Sequence, residues 1–251
     1  MSGTHEGRVA IVTGASRGIG FAAAQRLVDE GAKVLITARK ADALAEAAES
    51  LGGSEHAIWA AGSADDVEHQ AAAVAQAIDA FGRLDYLVNN TGINPAYGRM
   101  IDIEHAAANK IFAVNVVGAI SWTQQAYRAS FEKNGGAVVN IASVAGQLPA
   151  PNIGTYGASK AALIHVTKEL AVELGPDVRV NAVCPAVVKT KFATALYEGR
   201  EEEVARPYPL KRLGEPDDIG SLVSFLLSDD ASWITGQAIT IDGGVLLTGG
   251  V

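Results

Sequence analysis

The feature that most constrains this chain is a recurrence: short apolar runs of strand length alternate with alanine-rich amphipathic stretches of helix length. Residues 8–13, 33–38, 56–61, 84–90, 137–142, 178–184 and 236–242 read as strands, and the stretches between most of them as helices, the longest spanning roughly 103–131 and 155–174. A strand that is apolar along its whole length is buried on both faces, and strands joined through helices run parallel. The expected class is therefore α/β, a doubly wound parallel sheet with helices on both faces. Such sheets bind ligands beyond the carboxyl ends of their strands. With 251 residues and 49% hydrophobic content, a single domain covering 1–251 is expected.

The first of these units carries the strongest local signal. The run Arg8-Val-Ala-Ile-Val-Thr13 is closed by Gly14, and Gly18-Ile19-Gly20 opens the following helix, giving strand, glycine turn and helix with Ser16 and Arg17 inside the turn. Glycines lack a Cβ, so a pyrophosphate can approach backbone N–H groups at the positive end of the helix. The spacing is G-x-x-x-G-x-G, and in this setting it predicts a Rossmann-type dinucleotide site. The end of the second strand selects the dinucleotide. An acidic residue there would accept from the adenosine ribose, whereas this chain has Ala38-Arg39-Lys40, with Arg17 nearby in the loop. Two guanidiniums and no carboxylate predict NADP(H) in preference to NAD(H).

A second stretch, Ser143 to Lys160, carries candidate chemistry. Tyr156 and Lys160 stand i, i+4 on a predicted helix and share one face. A cation beside a phenol lowers its pKa, so Tyr156 is expected to be drawn toward neutrality and to act as a general acid/base. Ser143 ends the strand 137–142, where its hydroxyl could hold a substrate oxygen against Tyr156. Asn115 sits among Ile111, Phe112, Val114, Val116 and Val117 in the long predicted helix, so its amide needs a specific partner, either within a site or in a structural hydrogen bond that locally distorts the helix.

The remaining features mainly exclude. A net charge of −8 argues against nucleic acid or an anionic membrane as the main partner. No apolar run approaches the ~18 residues of a membrane span, and the N-terminus does not read as a leader, so a soluble cytoplasmic protein is expected. Cys184 is the only cysteine and reads as a small buried hydrophobe at a strand end. The five histidines (His5, His56, His69, His105, His165) show no ligand spacing, and no metal site is expected. The segment at about 189–213 reads as a substrate lid in which Phe192, Leu196 and Tyr208 could close over a ligand, with Glu201-Glu202-Glu203 as a solvated face. Val245-Leu246-Leu247 suggests subunit contact or docking onto the core.

Taken in order, Thr13-Gly-Ala-Ser-Arg-Gly-Ile-Gly20, Asn89-Asn-Thr-Gly92, Asn115, Ser143, Tyr156-x-x-x-Lys160 and Asp242-Gly-Gly244 resemble the short-chain dehydrogenase/reductase family over essentially the whole chain, most closely bacterial 3-oxoacyl-(acyl-carrier-protein) reductases and related carbonyl reductases. The resemblance implies catalytic roles for four positions: Tyr156 as proton donor and acceptor, Lys160 as its partner and a ribose ligand, Ser143 as the anchor of the substrate oxygen, and Asn115 as holder of a relay water. It also implies that Gly14, Ser16, Arg17, Gly18, Ile19, Gly20, Asn90 and Thr190 line the dinucleotide, with Pro185 and Val188 near the nicotinamide, and that the protein is a homotetramer built on its long central helices and last strand. Three departures stand out: Thr91 and Ala186 where the family usually has alanine and glycine, and Ala61-Gly62-Ser63-Ala64 where it has an acid after the third strand. The expected activity is hydride transfer between NADP(H) and a small carbonyl or secondary alcohol substrate. The alternatives are 3-oxoacyl-(acyl-carrier-protein) reduction and, more remotely, a non-catalytic NADP(H) sensor, although a sensor would be expected to lack the tyrosine or lysine. An epimerase or dehydratase would typically show a longer chain with a separate substrate domain, for which 251 residues leave no room.

Overall fold

The first strand, β1 (Val9–Thr13), is buried at every position, as befits a central strand flanked on both sides and covered on both faces. The structure, a computed structural model, describes residues 4–249; Met1–Gly3, the start of the N-terminal stretch read above as lacking a leader, lie outside them. After β1 come α1 (Gly18–Asp29), β2 (Lys33–Ala38), α2 (Ala41–Ser50), β3 (Ala57–Ala61), α3 (Val67–Phe81) and β4 (Tyr86–Asn89). A long helix α4 (residues 105–134) leads to β5 (Gly136–Ile141), then α5 (Gly154–Leu174) and β6 (Val178–Pro185). Two short helices, α6 (Thr194–Tyr197) and α7 (Glu201–Ala205), precede α8 (Pro216–Leu227) and β7 (Ala238–Ile241). The seven strands form one sheet in the order β3-β2-β1-β4-β5-β6-β7, every neighbouring pair parallel. This is the doubly wound arrangement expected from the alternation, with its topological switch between β1 and β4.

Alternation within the strands divides the core. Ala10, Val12, Val34, Ile36, Val88 and Val139 face a layer containing Leu27 of α1, Leu44 of α2 and Val223 of α8. Val9, Ile11, Leu35, Leu87, Val138 and Val180 face Val74 of α3, Trp122 and Phe131 of α4, and Ala171 of α5. Fully burying such a side chain is worth roughly 1.5–3 kcal/mol. A one-residue slip would send every side chain to the opposite layer, so packing fixes the register.

The helix ends follow their local chemistry. Asp66 caps α3 by accepting from the backbone N–H groups of Glu68 and His69, and the helix stops at Gly82 in the left-handed region. At α8, Glu215 and Asp218 form a reciprocal capping box with Pro216 at the start, and Arg212 forks onto Asp218 at 2.6 and 2.9 Å. The long helix differs from the continuous one expected. It passes through π-helical turns at Ala113–Val117 and Tyr127–Phe131, and the first of these contains Asn115. Such turns interrupt the regular α ladder and recur at functional sites.

Between β6 and α8 the chain is tied down in its second half. Ala205, Tyr208, Leu213 and Val245 form a small core with Tyr197, Val204 and Leu246 packed around it. This corrects the expectation for Tyr208: its ring is buried and its hydroxyl accepts from the Val187 N–H at 3.3 Å, so it packs beneath the segment rather than closing over a ligand. Of the apolar C-terminal residues, Val245 docks into this cluster and Leu247 stays exposed. Glu201 is not simply solvated, because Lys189 bridges it at 3.3 Å and also pairs with Glu215. Among the described residues no helix is long and apolar enough to cross a membrane.

Candidate active site at the carboxyl ends of the strands

The glycine turn sits where β1 and β4 part, and the two strand ends are laced together. Thr13 Oγ1 accepts from the N–H groups of Asn90 and Thr91, both at 3.0 Å, while Asn90 Nδ2 donates to the carbonyls of Thr13 and Gly14 at 2.8 and 3.1 Å. Gly14 has φ +64°, and a Cβ there would lie 2.9 Å from Thr91 Oγ1; one at Gly20 would lie 2.5 Å from Asn90 Nδ2. No side chain fits at either position, and the start of α1, which has no acid in its first turn, is left open to an anion. Thr190, more than 150 residues downstream, brings its methyl to 3.3 Å from where a Gly18 Cβ would stand. Ser16, Ile19 and Pro185 flank the same edge, at the glycine turn, the first turn of α1 and the end of β6. Val188 is buried and bridges to Gly214. Arg17 and Arg39 are both exposed, and no ion pair among the described residues engages either. An open helix N-terminus fits the pyrophosphate of a nicotinamide dinucleotide, and two guanidiniums border it.

Ser143, Tyr156 and Lys160 converge over the ends of β5 and β6. Ser143 opens the turn after β5, its Oγ accepting from the Ala145 N–H at 3.1 Å. The start of α5 packs on this turn so closely that a Cβ at Gly157 would lie 2.6 Å from the Ala145 carbonyl oxygen, which fixes Tyr156 relative to Ser143. Lys160 is buried, donates to the Ile141 carbonyl at 2.7 Å, and holds its Nζ 5.6 Å from the centre of the Tyr156 ring. The Phe192 ring lies 6.1 Å from that of Tyr156, on the outer side of the site, and is itself largely exposed.

The electrostatics correct one expectation. Burial pushes the Tyr156 phenol up to about 12, and the neighbouring Ser143 hydroxyl only partly opposes this. Burial also pushes Lys160 down to about 8. The ammonium therefore does not draw the phenol toward neutrality; desolvation dominates both groups and keeps the phenol protonated. Cys184 lies behind them as a fully buried neutral thiol, as expected of its strand-end position.

Asn115 meets its need for partners in full. Its Oδ1 accepts from the Ile93 N–H at 2.8 Å, and its Nδ2 donates to the Ile93 carbonyl and to Ser159 Oγ, both at 3.0 Å. Ser159 Oγ in turn donates to the Tyr156 carbonyl at 2.6 Å. Asn115 thereby fixes both the loop after β4 and the turn of α5 that carries Tyr156. Sequence reasoning missed Ser159, a serine inside a helix whose only signal is its position between Tyr156 and Lys160. The departures are accommodated. Thr91 leans its hydroxyl over Gly14, and Ala186 is not among the residues with positive φ, so its methyl imposes no strained backbone.

Comparisons with known proteins agree with this geometry. A family model described as enoyl-(acyl carrier protein) reductase matches residues 14–246. The chain is 39% identical over 248 residues to dehydrogenase/reductase SDR family member 4 of Caenorhabditis elegans, covering 96% of this chain and 95% of that protein. It is 37% identical to the namesake protein of Sus scrofa over 246 residues, covering 95% and 87%. Two solved structures superpose closely. One is a short-chain dehydrogenase/reductase described as a glucose/ribitol dehydrogenase from Brucella melitensis, with TM-score 0.92, 33% identity and coverage of 98% and 99%. The other is a putative short-chain alcohol dehydrogenase from Sinorhizobium meliloti, with TM-score 0.89, 38% identity and coverage of 96% and 97%. With its parallel sheet, glycine turn and convergent Ser143, Tyr156 and Lys160, this chain belongs to the short-chain dehydrogenase/reductase family of oxidoreductases.

Proposed function

We propose that this protein is an NADP(H)-dependent reductase of small carbonyl compounds that also oxidises the corresponding secondary alcohols. The observation that carries the reading is the Tyr156 phenol set between the Ser143 hydroxyl and the buried Lys160 ammonium at the strand ends, next to a helix N-terminus open to phosphate. A nicotinamide held at this site would supply the hydride to, or accept it from, the substrate carbon. Tyr156 delivers the proton to the carbonyl oxygen, and Ser143 donates a hydrogen bond to that oxygen as negative charge develops on it. Lys160, charged below about 8, stabilises the phenolate that proton transfer leaves behind. Asn115 is a positioning residue: with both Nδ2 hydrogens engaged it holds the loop after β4 and the turn of α5 in place, and its Oδ1 keeps one lone pair for a relay water. Gly14, Gly18 and Gly20 would receive the pyrophosphate, with Asn90 holding the turn and Thr190 beside it, and Arg39 with Arg17 would take the 2′-phosphate.

Single-domain organisation, cytoplasmic location and a homotetramer are part of the same reading. The lid narrows to about 189–200, the half that carries Phe192, since Tyr208 and Leu213 anchor the rest. The family model's description keeps acyl-carrier-protein substrates as the second reading.

Tyr156→Phe should cut turnover by at least about a thousandfold while NADPH affinity, measured by fluorescence titration, stays within about twofold, because only the transferable proton is lost. Near-full activity would refute the assigned chemistry. Arg39→Asp should weaken NADPH by roughly tenfold or more relative to NADH, the loss of one charge-assisted phosphate contact. An unchanged preference would assign the 2′-phosphate to other groups. For pH, the signs are set by the two shifts. The phenol remains protonated across the neutral range, whereas Lys160 loses its charge as pH rises through about 8. Carbonyl reduction followed as kcat/KM should therefore hold below that point and fall above it; a rate that climbs steadily from pH 7 to 9 would contradict the assignment.

A further inference from the structure

The end of β3 departs from the simplest cofactor cradle, because the chain there offers Gly62 and no side chain. In a sheet of this order a dinucleotide's pyrophosphate would lie at the start of α1 and its adenosine ribose at the end of β2, which would carry the adenine over the ends of β2 and β3. Ala38 and Ala61 are paired at that edge, and the Gly62 N–H donates to the Ala38 carbonyl at 2.9 Å.

The space that a residue-62 side chain would fill is not empty. A Cβ on Gly62 would lie 2.2 Å from Cγ and 2.3 Å from Nδ1 of His69, so glycine is required for the imidazole to stand there. The ring is held from two sides: Nε2 is hydrogen-bonded to Thr37 Oγ1 at 2.8 Å, and the ring meets buried Trp122 edge-on at 5.7 Å. The capping carboxylate of Asp66, which accepts from the His69 N–H, fixes the backbone that carries it. With Nε2 committed to Thr37, Nδ1 has no partner among the described residues. It is not one of the buried side-chain atoms without a partner among the described residues, which are Asn89 Oδ1 and Asn94 Oδ1. Burial lowers the His69 pKa against the opposing pull of Asp66, which keeps the ring neutral and one ring nitrogen an acceptor.

We propose that His69 stands in for the missing side chain at position 62, its Nδ1 accepting a hydrogen bond from the exocyclic amine of adenine, so that the adenine subsite is built by an imidazole reaching in from α3. The proposal rests on the dinucleotide reading above. It adds a recognition residue for the half of the cofactor remote from the chemistry, and explains why position 62 is glycine. Thr37 and Trp122 act as its supports.

Calorimetric titration with ADP and with adenosine 2′,5′-bisphosphate tests it without any turnover. His69→Leu keeps apolar bulk against Trp122 and removes the acceptor; both nucleotides should bind about tenfold more weakly. His69→Gln restores an acceptor and should recover part of that loss. Arg39→Asp should weaken the bisphosphate alone. If His69→Leu does not fold, as judged by thermal denaturation, Gly62→Ala replaces it, since the added methyl displaces the ring and should weaken both nucleotides alike. Unchanged ADP affinity in folded His69→Leu, or a Gln variant no better than Leu, overturns the proposal. A wild-type protein that binds ADP and the bisphosphate equally would refute the NADP(H) preference while leaving the ADP comparison to decide the role of His69.

Discussion

The site depends on a buried ammonium. Lys160 lies in the interior at the ends of β5 and β6, where an isolated charge costs several kcal/mol. The Ile141 carbonyl, 2.7 Å away, offsets part of that cost, and the rest appears as a pKa lowered to about 8. The same dry environment raises the Tyr156 phenol to about 12. Two neighbouring groups are thus pushed in opposite directions by one cause, the pattern that separates an acid from its electrostatic partner. The result is a tyrosine poised as an acid, suited to giving a proton to a carbonyl oxygen.

Holding that pair in place engages much of the fold. Asn115 grips Ile93 by both backbone groups and reaches Tyr156 through Ser159, so the loop after β4, the long helix and α5 act as one support. On the other side of the switch point, Thr13 and Asn90 lock the glycine turn to β4. Both lattices consist of backbone groups satisfied by single side chains, which gives positional precision at small volume. They bring together residues as far apart as Thr13 and Asn90, and Asn115 and Ser159.

Much of this was legible in the chain. Strands such as Val9–Thr13 are buried throughout and apolar up to their last residue because both faces are covered, and Tyr156 and Lys160 share a face because of helical spacing; each property is local. The misreadings share a different cause. The direction of the Tyr156 shift depends on how dry the folded site is. Tyr208 faces inward only because Val245, nearly forty residues later, closes over it. The π turn at Asn115 is the local distortion that a structural hydrogen bond there allows, but its partners, Ile93 and Ser159, are set only by folding. His69 looked like one of five scattered histidines, since nothing in the spacing of α3 announces that its ring fills the gap left by Gly62.

The central claim is that this chain reduces ketones with NADPH through Tyr156. The most direct measurement is the consumption of NADPH and NADH, in parallel, by the purified protein with acetoacetyl thioester and with a panel of simple aliphatic and aryl ketones. The account predicts turnover of ketones, faster with NADPH. Turnover of the thioester alone would shift the substrate to an acyl chain. Binding of NADPH with no turnover of any carbonyl would contradict the account.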